Sequence, residues 1–441
     1  MPTSEEDSEE IRPLLELTLT YRRSVYWYAS MAAVGGFVCG YDTGSISSII
    51  ALPIFQKLFF LDKTLAYYET GINSRVLLSG RLVAGLGTGL MTNAIPLYQS
   101  EISPPDIRGR LVSLYSLLAS FGQMAGYFIT FRSSYIKSNW SWRLPWLVQL
   151  IVSILFLFSV CFLPYSPRWL ISQGRESEGL MVLAKVHGLS KNHWLVQKEY
   201  KEIRLQTEAD RKNANEQNYA QLFKVPNLER TLLAFFISIA TCFTGNVVIS
   251  YYAPHIFKNA GLDDVSISLA LTGGIGLLSL IANMISLKWW VDMWGRRVLF
   301  LTGSAISAIC MITVGFTFYF YANWIDDEMV LSNARARYVI IFCVYLFSGS
   351  FAATWAVGTY VYTAEIFSLK CRAKGLSLTY AISWAGSIVI TYFTPFFLAY
   401  SISGVYFFLG ACSILTLVVV YFIPETKGKT LEEIDAMFEK H

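Results

Sequence analysis

Two ionisable side chains stand where the sequence otherwise supplies hydrocarbon. Asp42 lies in VGGFVCGYDTGSISSII, and Arg81 heads the stretch RLVAGLGTGLMTNAIPLYQSE. A charge inside a bilayer is costly unless paired, and it marks a functional site by default. Asp42 comes 17 residues into an apolar run that starts at Val25, about 25 Å along a helix of 1.5 Å rise per residue. Arg81 comes five residues into a run that returns from the other side. Both therefore fall in the outer half of the membrane and can meet. A carboxylate beside a guanidinium in low dielectric can alternate between ion pair and protonated acid as its surroundings open and close. That alternation is what proton coupling requires; the alternative is a static brace between two helices.

A second set of charges repeats. Glu101 precedes Arg108 by seven residues, and Glu365 precedes Arg372 by the same step; Asp292 stands close before Arg296 and Arg297. The echo indicates two halves built on one plan. At the cytoplasmic ends of helices such pairs can latch one arrangement and break in another, which makes a bistable element. Their other reading is orientation by positive charge and snorkelling of long side chains.

The elements that must position these groups are apolar runs. Hydrophobic residues make up 54% of the chain and charged ones 15%, so most of the chain must live in hydrocarbon, where about 20 apolar residues are needed to span. Ten spans are expected: 25–52, 76–99, 111–131, 144–162, 231–253, 267–291, 298–321, 338–363, 376–400 and 405–423. The fold class is an all-α polytopic membrane protein. The organisation is an N-terminal tail (1–24), read as disordered, a first half of four spans (25–163), a central loop with short amphipathic helices (164–230), a second half of six spans (231–423) and a C-terminal tail (424–441). Residues 53–74 read as a loop with one interfacial turn. The basic central loop places itself in the cytoplasm, and both termini with it. Glycines 80, 85, 87 and 89 beside Arg81 would let another helix approach closely, since close packing replaces the missing hydrophobic drive between helices in lipid.

Other chemistry is not indicated. Six of the seven cysteines sit in apolar runs and none forms a CxxC pair, the four histidines have no ligand spacing, and no catalytic triad, HExxH or phosphate loop occurs. No metal, cofactor, enzymatic activity or nucleic-acid partner is expected.

The glycine ladder ending in PLYQSE and RGR, the PYSPRWL boundary, DMWGRR, EIFSLKCRAKG and PETKGKTLEE together resemble the sugar porter family of the major facilitator superfamily. Thr244-Gly245-Asn246, Ile249-Ser250-Tyr251-Tyr252 and Arg372-Ala373-Lys374-Gly375 are most similar to its fungal lactose-permease-like and hexose-transporter branch. The resemblance implies a two-bundle fold and transport of a sugar or oligosaccharide by alternating access across the plasma membrane, by a monomer, with protons as the coupling partner at Asp42 and Arg81. It implies gating roles for Glu101, Arg108, Asp292, Arg296, Arg297, Glu365 and Arg372. A sugar needs amide partners and aromatic cover near the midplane, and the candidates are Gln123, Asn246, Tyr251, Tyr252, Asn283, Tyr360 and Trp384, with Tyr362 beside them. The family pattern is incomplete: Thr241, Cys242 and Ser116 stand where its glutamines do, which allows a bulkier or less polar substrate.

The resemblance also implies a loss. The second half takes about 134 residues from Thr231 to Glu365 and the first only about 76 from Val25 to Glu101, a deficit of roughly two spans and a turn. The family's second and third helices are the missing part. An even loss leaves every other span in its direction. A transporter-like nutrient sensor, or a permease disabled by the loss, is the alternative function.

Overall fold

A computed structural model of the chain describes residues 6–61, 69–103, 107–212, 219–225, 227–262, 264–290, 294–325, 328–331, 333–367, 371–427 and 437–438. It is helical throughout except for one short antiparallel hairpin, β1 (Ala322–Ile325) against β2 (Glu328–Leu331).

The first helix, α1 (Glu6–Ile50), begins far earlier than the apolar run. The acidic start was expected to be a disordered tail, but Glu, Leu and Arg are strong helix formers with no glycine among them, and propensity carries the helix back to Glu6. It stops before Pro53, where Leu52 is extended (φ −71°, ψ 126°) and the chain turns by 75° into α2 (Pro53–Gln56), continued by a wider turn over Lys57–Leu61. The segment 53–74 is therefore no loop at either end: α3 (Glu69–Ile102) already includes residues 69–74.

α4 (Arg108–Ser133) and α5 (Trp140–Cys161) complete the first half. The central region folds as α6 (Pro167–Ser172), α7 (Glu176–His187) and α8 (Trp194–Lys212). The second half holds α9 (Asn227–Thr241), α10 (Val247–Asn259), α11 (Val265–Ile285), α12 (Arg296–Tyr321), α13 (Ala334–Ala353), α14 (Trp355–Ile366), α15 (Arg372–Tyr400) and α16 (Ile402–Phe422). Among the described residues eight helices or helix pairs are long and apolar enough to cross a membrane, and a ninth if α1 and its bent continuation count as one. The remaining expected span, 76–99 in α3, falls short because Arg81, its glycines and its threonines dilute the hydropathy.

The chain forms two compact units. One comprises Met1–Gly35, Ala94–Tyr115 and Ser153–Asn218. Its core joins Val25, Ala29, Ile102, Ile107, Leu111 and Val186, so α7 is seated on the ends of three long helices. The other comprises Gly36–Asn93, Ser116–Val152 and Tyr219–His441. Within it α1 and α4 meet backbone to backbone. A side-chain carbon on Gly40 would collide with the Ala119 carbonyl, one on Gly44 with that of Gln123, and one on Gly126 would lie 2.8 Å from Ser45 N. Two glycine pairs four residues apart thus make the contact, the small-residue packing that lipid favours.

Candidate functional site

Asp42 and Arg81 come together. The Arg81 Nη1 and Nη2 groups donate to Asp42 Oδ1 and Oδ2 at 2.6 and 2.7 Å, a bidentate fork. This geometry matches the planar guanidinium to a carboxylate and makes the strong, charge-assisted class of hydrogen bond. The side chains retain 30% and 14% of their exposure, so the pair is enclosed but still reachable. α1 supplies the acid and α3 the base. Gln149 on α5 adds a third bond, its Nε2 donating to Asp42 Oδ1 at 2.7 Å. The sequence reading missed Gln149, though a lone amide in WLVQLIVSILF was a usable signal.

Tyr251 belongs to the same place. Its hydroxyl lies beside Thr43, the neighbour of Asp42, and both charges act on it. α9 and α10 bring it there through a break: Gly245 takes φ 111°, a value that glycine adopts freely, inside the wide turn Cys242–Asn246. Tyr251 thus brings the second half beside the charged pair.

The other candidates divide. Gln123 donates from Nε2 to Tyr127 Oη at 2.9 Å, and Tyr127 passes the bond to Ser250 O at 3.0 Å. Asn246 accepts from Ser250 Oγ at 3.4 Å. These two half-buried amides share a chain of polar groups on α4 and α10. Tyr252 is drawn to α15, donating to Thr391 O at 3.0 Å. Tyr360 lies against Tyr380, with ring centres 5.9 Å apart. Trp384 is 41% exposed and is free to cover a ligand. Asn283 is fully buried and donates to Ser116 Oγ and Ser120 Oγ at 3.1 and 3.0 Å, which braces α11 on α4. Tyr362 is likewise core, packed on Phe300 and donating to Pro424 O at 3.4 Å. Of the positions where the family's glutamines stand, Thr241 bonds Thr359, and the Cys242 thiol meets Ser387 Oγ and Ser383 O at 3.3 Å. A hydroxyl and a thiol replace amides there.

The charges at the helix ends pair differently from the sequence echo. Glu365 was expected to meet Arg372; instead Arg296 Nη2 donates to Glu365 Oε1 at 2.9 Å and Thr426 Oγ1 donates to Oε2 at 2.7 Å. Arg372 donates to Phe367 O at 3.4 Å. Proximity in space decides this, because α12 starts beside the end of α14. Glu425, not singled out from the sequence, caps α12: it accepts from Arg296 N and Arg297 N at 2.9 and 3.0 Å. Its place in the PETKG motif was the available signal. Arg297 turns to Tyr421, donating to its carbonyl and lying over its ring. Burial pushes the Glu365 carboxyl above the ordinary carboxylate range, against the lowering by Arg296 and Thr426. Burial also works to raise Glu425, but backbone N–H groups of Lys427, Arg296, Arg297 and Thr426 outweigh it and hold that carboxyl low. In the other unit Glu101 is raised by burial, with a hydrogen bond to Ser166 and the charge of Arg168 opposing. The side chain of Arg108, its expected partner, and Asp292 lie outside the described residues.

Among the described residues no group of three or more His, Cys, Asp and Glu side chains could hold a metal. A helical bundle with an enclosed ion pair is the scaffold of a carrier. Comparison with known families decides which one: the model of the "Sugar (and other) transporter" family matches residues 69–438. The chain belongs to the sugar transporter family. It is an integral membrane transporter of the sugar-porter type. A protein named "Probable quinate permease" from Aspergillus fumigatus is 32% identical over 377 residues, covering 82% of this chain and 68% of the relative. The protein of the same name in Aspergillus flavus is 32% identical over 479 residues, covering 95% and 89%. The solved structure of the proton:xylose symporter XylE bound to 6-bromo-6-deoxy-D-glucose shares the fold, with a TM-score of 0.69, 24% identity and coverage of 99% of this chain and 91% of that one.

Proposed function

We propose that the protein is a proton-coupled importer of a small polyhydroxylated ring compound, a sugar or a hydroxy acid such as quinate, working by alternating access. The observation that carries the reading is the bidentate Asp42–Arg81 pair with Gln149 and Tyr251 around it. Asp42 takes up the proton, and protonation releases Arg81 from the ion pair; return of the charge closes the fork again. Tyr251 reports the state of that pair to α10. Gln123 and Asn246 supply hydrogen bonds to substrate hydroxyls, and Trp384 covers an apolar ring face. Thr241 and Cys242, a short hydroxyl and a thiol, fit a substrate with fewer polar contacts than a hexose makes. The protein acts as a monomer in a fungal plasma membrane, within the lactose-permease-like branch, with both termini and the region 164–230 in the cytoplasm. The gating network is Arg296, Arg297 and Glu365, joined by Glu425, with Glu101, Arg108, Asp292 and Arg372 at the same membrane face.

Uptake of radiolabelled quinate, xylose and lactose into proteoliposomes, with and without an inward proton gradient, tests the reading. Gradient-driven accumulation of one of them supports it, and binding without accumulation refutes it. A second reading is that the chain lacks the family's second and third helices; it is supported by the Aspergillus flavus relative, whose alignment takes 479 positions against 95% of this chain. On that reading the chain binds its ligand and senses it, or is a disabled permease.

A further inference from the structure

Pro254 stands inside α10. Proline has no backbone N–H, and its ring presses on the carbonyl four residues before it, so the carbonyl of Ser250 loses its helical donor. A carbonyl left unsatisfied away from water is costly, and another helix supplies the missing bond. Tyr127 of α4, only 1% exposed, donates its hydroxyl to Ser250 O at 3.0 Å. The same phenol oxygen accepts from Gln123 Nε2 at 2.9 Å. Ser47 of α1 also lies beside that hydroxyl, but its own proton goes to Gly44 O at 3.1 Å.

Proton counting then fixes the sense of an amide. A phenol has one proton to give. Tyr127 spends it on Ser250 O, a group that cannot donate, so toward Gln123 the phenol can only accept. The NH2 group of Gln123 must face it, and the Gln123 carbonyl oxygen is turned away. Among the described residues that Oε1 atom has no partner, and the side chain is only half-buried. Asn246 is set in the opposite sense. Its Oδ1 accepts from Ser250 Oγ at 3.4 Å, which leaves its Nδ2 hydrogens for a ligand. Resting on the reading of Gln123 and Asn246 as substrate partners, we propose that Tyr127 is a positioning residue that locks Gln123 as an acceptor, complementary to the donor that Asn246 offers. This part of the site therefore takes a substrate hydroxyl and turns away a carboxylate or an ether oxygen. A hydroxyl can give its proton to Gln123 and accept from Asn246, whereas a carboxylate can only accept and meets the Gln123 oxygen with repulsion. A polyhydroxy acid enters with a ring hydroxyl here and its carboxylate elsewhere.

The test has two arms, both on the full chain purified in detergent. The first needs no ligand. Pro254→Ala returns a backbone donor to Ser250 O and makes the Tyr127 hydroxyl dispensable there. Tyr127→Phe should lower the unfolding temperature clearly in the native background and much less in the Pro254→Ala background; equal losses in both would overturn the proposal. The second arm is binding by equilibrium dialysis, with quinate, xylose and lactose as probes and the singly deoxyfluorinated analogues of whichever binds. Fluorine keeps the size of the hydroxyl and cannot donate. One fluorinated position should weaken binding about tenfold, the worth of one hydrogen bond. In Tyr127→Phe, where Gln123 is free to turn its NH2 group to the fluorine, that ratio should fall toward one. A purely structural role for Tyr127 would weaken parent and analogue alike and leave the ratio unchanged, which would overturn the proposal. Binding without accumulation would sink the transport reading and leave this one standing, and binding of none of the three probes would sink both.

Discussion

Asp42 and Arg81, 39 residues apart, close a two-bond fork at 2.6 and 2.7 Å inside an apolar bundle. Among the described residues no other ion pair ties the first long helix to α3, and Gln149 makes it a three-helix junction. The arrangement is expensive to break from one side, because removing one partner leaves the other charge poorly solvated. Arg81→Ala is therefore expected to lower stability by about 1–3 kcal/mol, less than the figure for a fully buried pair because Arg81 keeps part of its exposure. Arg81→Ala with Asp42→Asn should recover part of that loss. Thermal unfolding of both in detergent checks it; strict additivity would mean that the two side chains do not act together.

Gln149 donates to Asp42 Oδ1 at 2.7 Å and fixes the carboxylate that Arg81 forks. Gln149→Leu removes one hydrogen bond to a charged group, worth about 1.5–3 kcal/mol. Gradient-driven accumulation should fall severalfold while exchange of labelled substrate persists. Paired uptake and exchange assays measure this, and unchanged accumulation would remove Gln149 from the mechanism.

Tyr251 links the pair to α10 through Thr43. Tyr251→Phe keeps the ring and deletes the hydroxyl, so the bundle should stay folded with a loss near 1 kcal/mol. Its effect should fall on the coupling between proton and substrate: exchange persists while gradient-driven uptake drops severalfold. Equal loss of both would assign Tyr251 to packing alone.

At the junction of α12 and α14 the two acids work with opposite sign. A lowered carboxyl stabilises the arrangement above its ordinary pKa and withdraws that help as pH falls through the lowered value. Glu425 is of this kind, so Glu425→Gln should lose the helix cap, about 1–2 kcal/mol at neutral pH, and the difference from wild type should shrink below about pH 4. A raised carboxyl does the reverse: Glu365 disfavours its buried site once ionised. The unfolding temperature of Glu365→Gln should match or exceed wild type at neutral pH, and the gap should close on acidification. Parallel pH series of the two variants check the signs.

Much of the site was legible because charge is rare in apolar sequence. Asp42 and Arg81 stood out for that reason, and counting residues along helices put them at one depth. Gln149 was hidden, since an uncharged amide barely disturbs an apolar run and its partner is set by packing. The acid-to-arginine echo pointed Glu365 at Arg372, where tertiary structure offers Arg296. Gly80, Gly85, Gly87 and Gly89 were read as a close-packing signal, yet a side-chain carbon on any of them meets no described atom within 4 Å; the close approach falls at Gly40 and Gly44 against α4. The first 24 residues were judged by their acidity, and helix propensity mattered more. The hairpin Ala322–Leu331 gave no period long enough to read.

The central claim is that Asp42 carries the coupling proton. The most direct test is to compare wild type with Asp42→Asn in proteoliposomes, measuring both uphill uptake under an inward proton gradient and equilibrium exchange of labelled substrate. The account predicts that Asp42→Asn loses accumulation and keeps exchange. Accumulation undiminished in Asp42→Asn would contradict it.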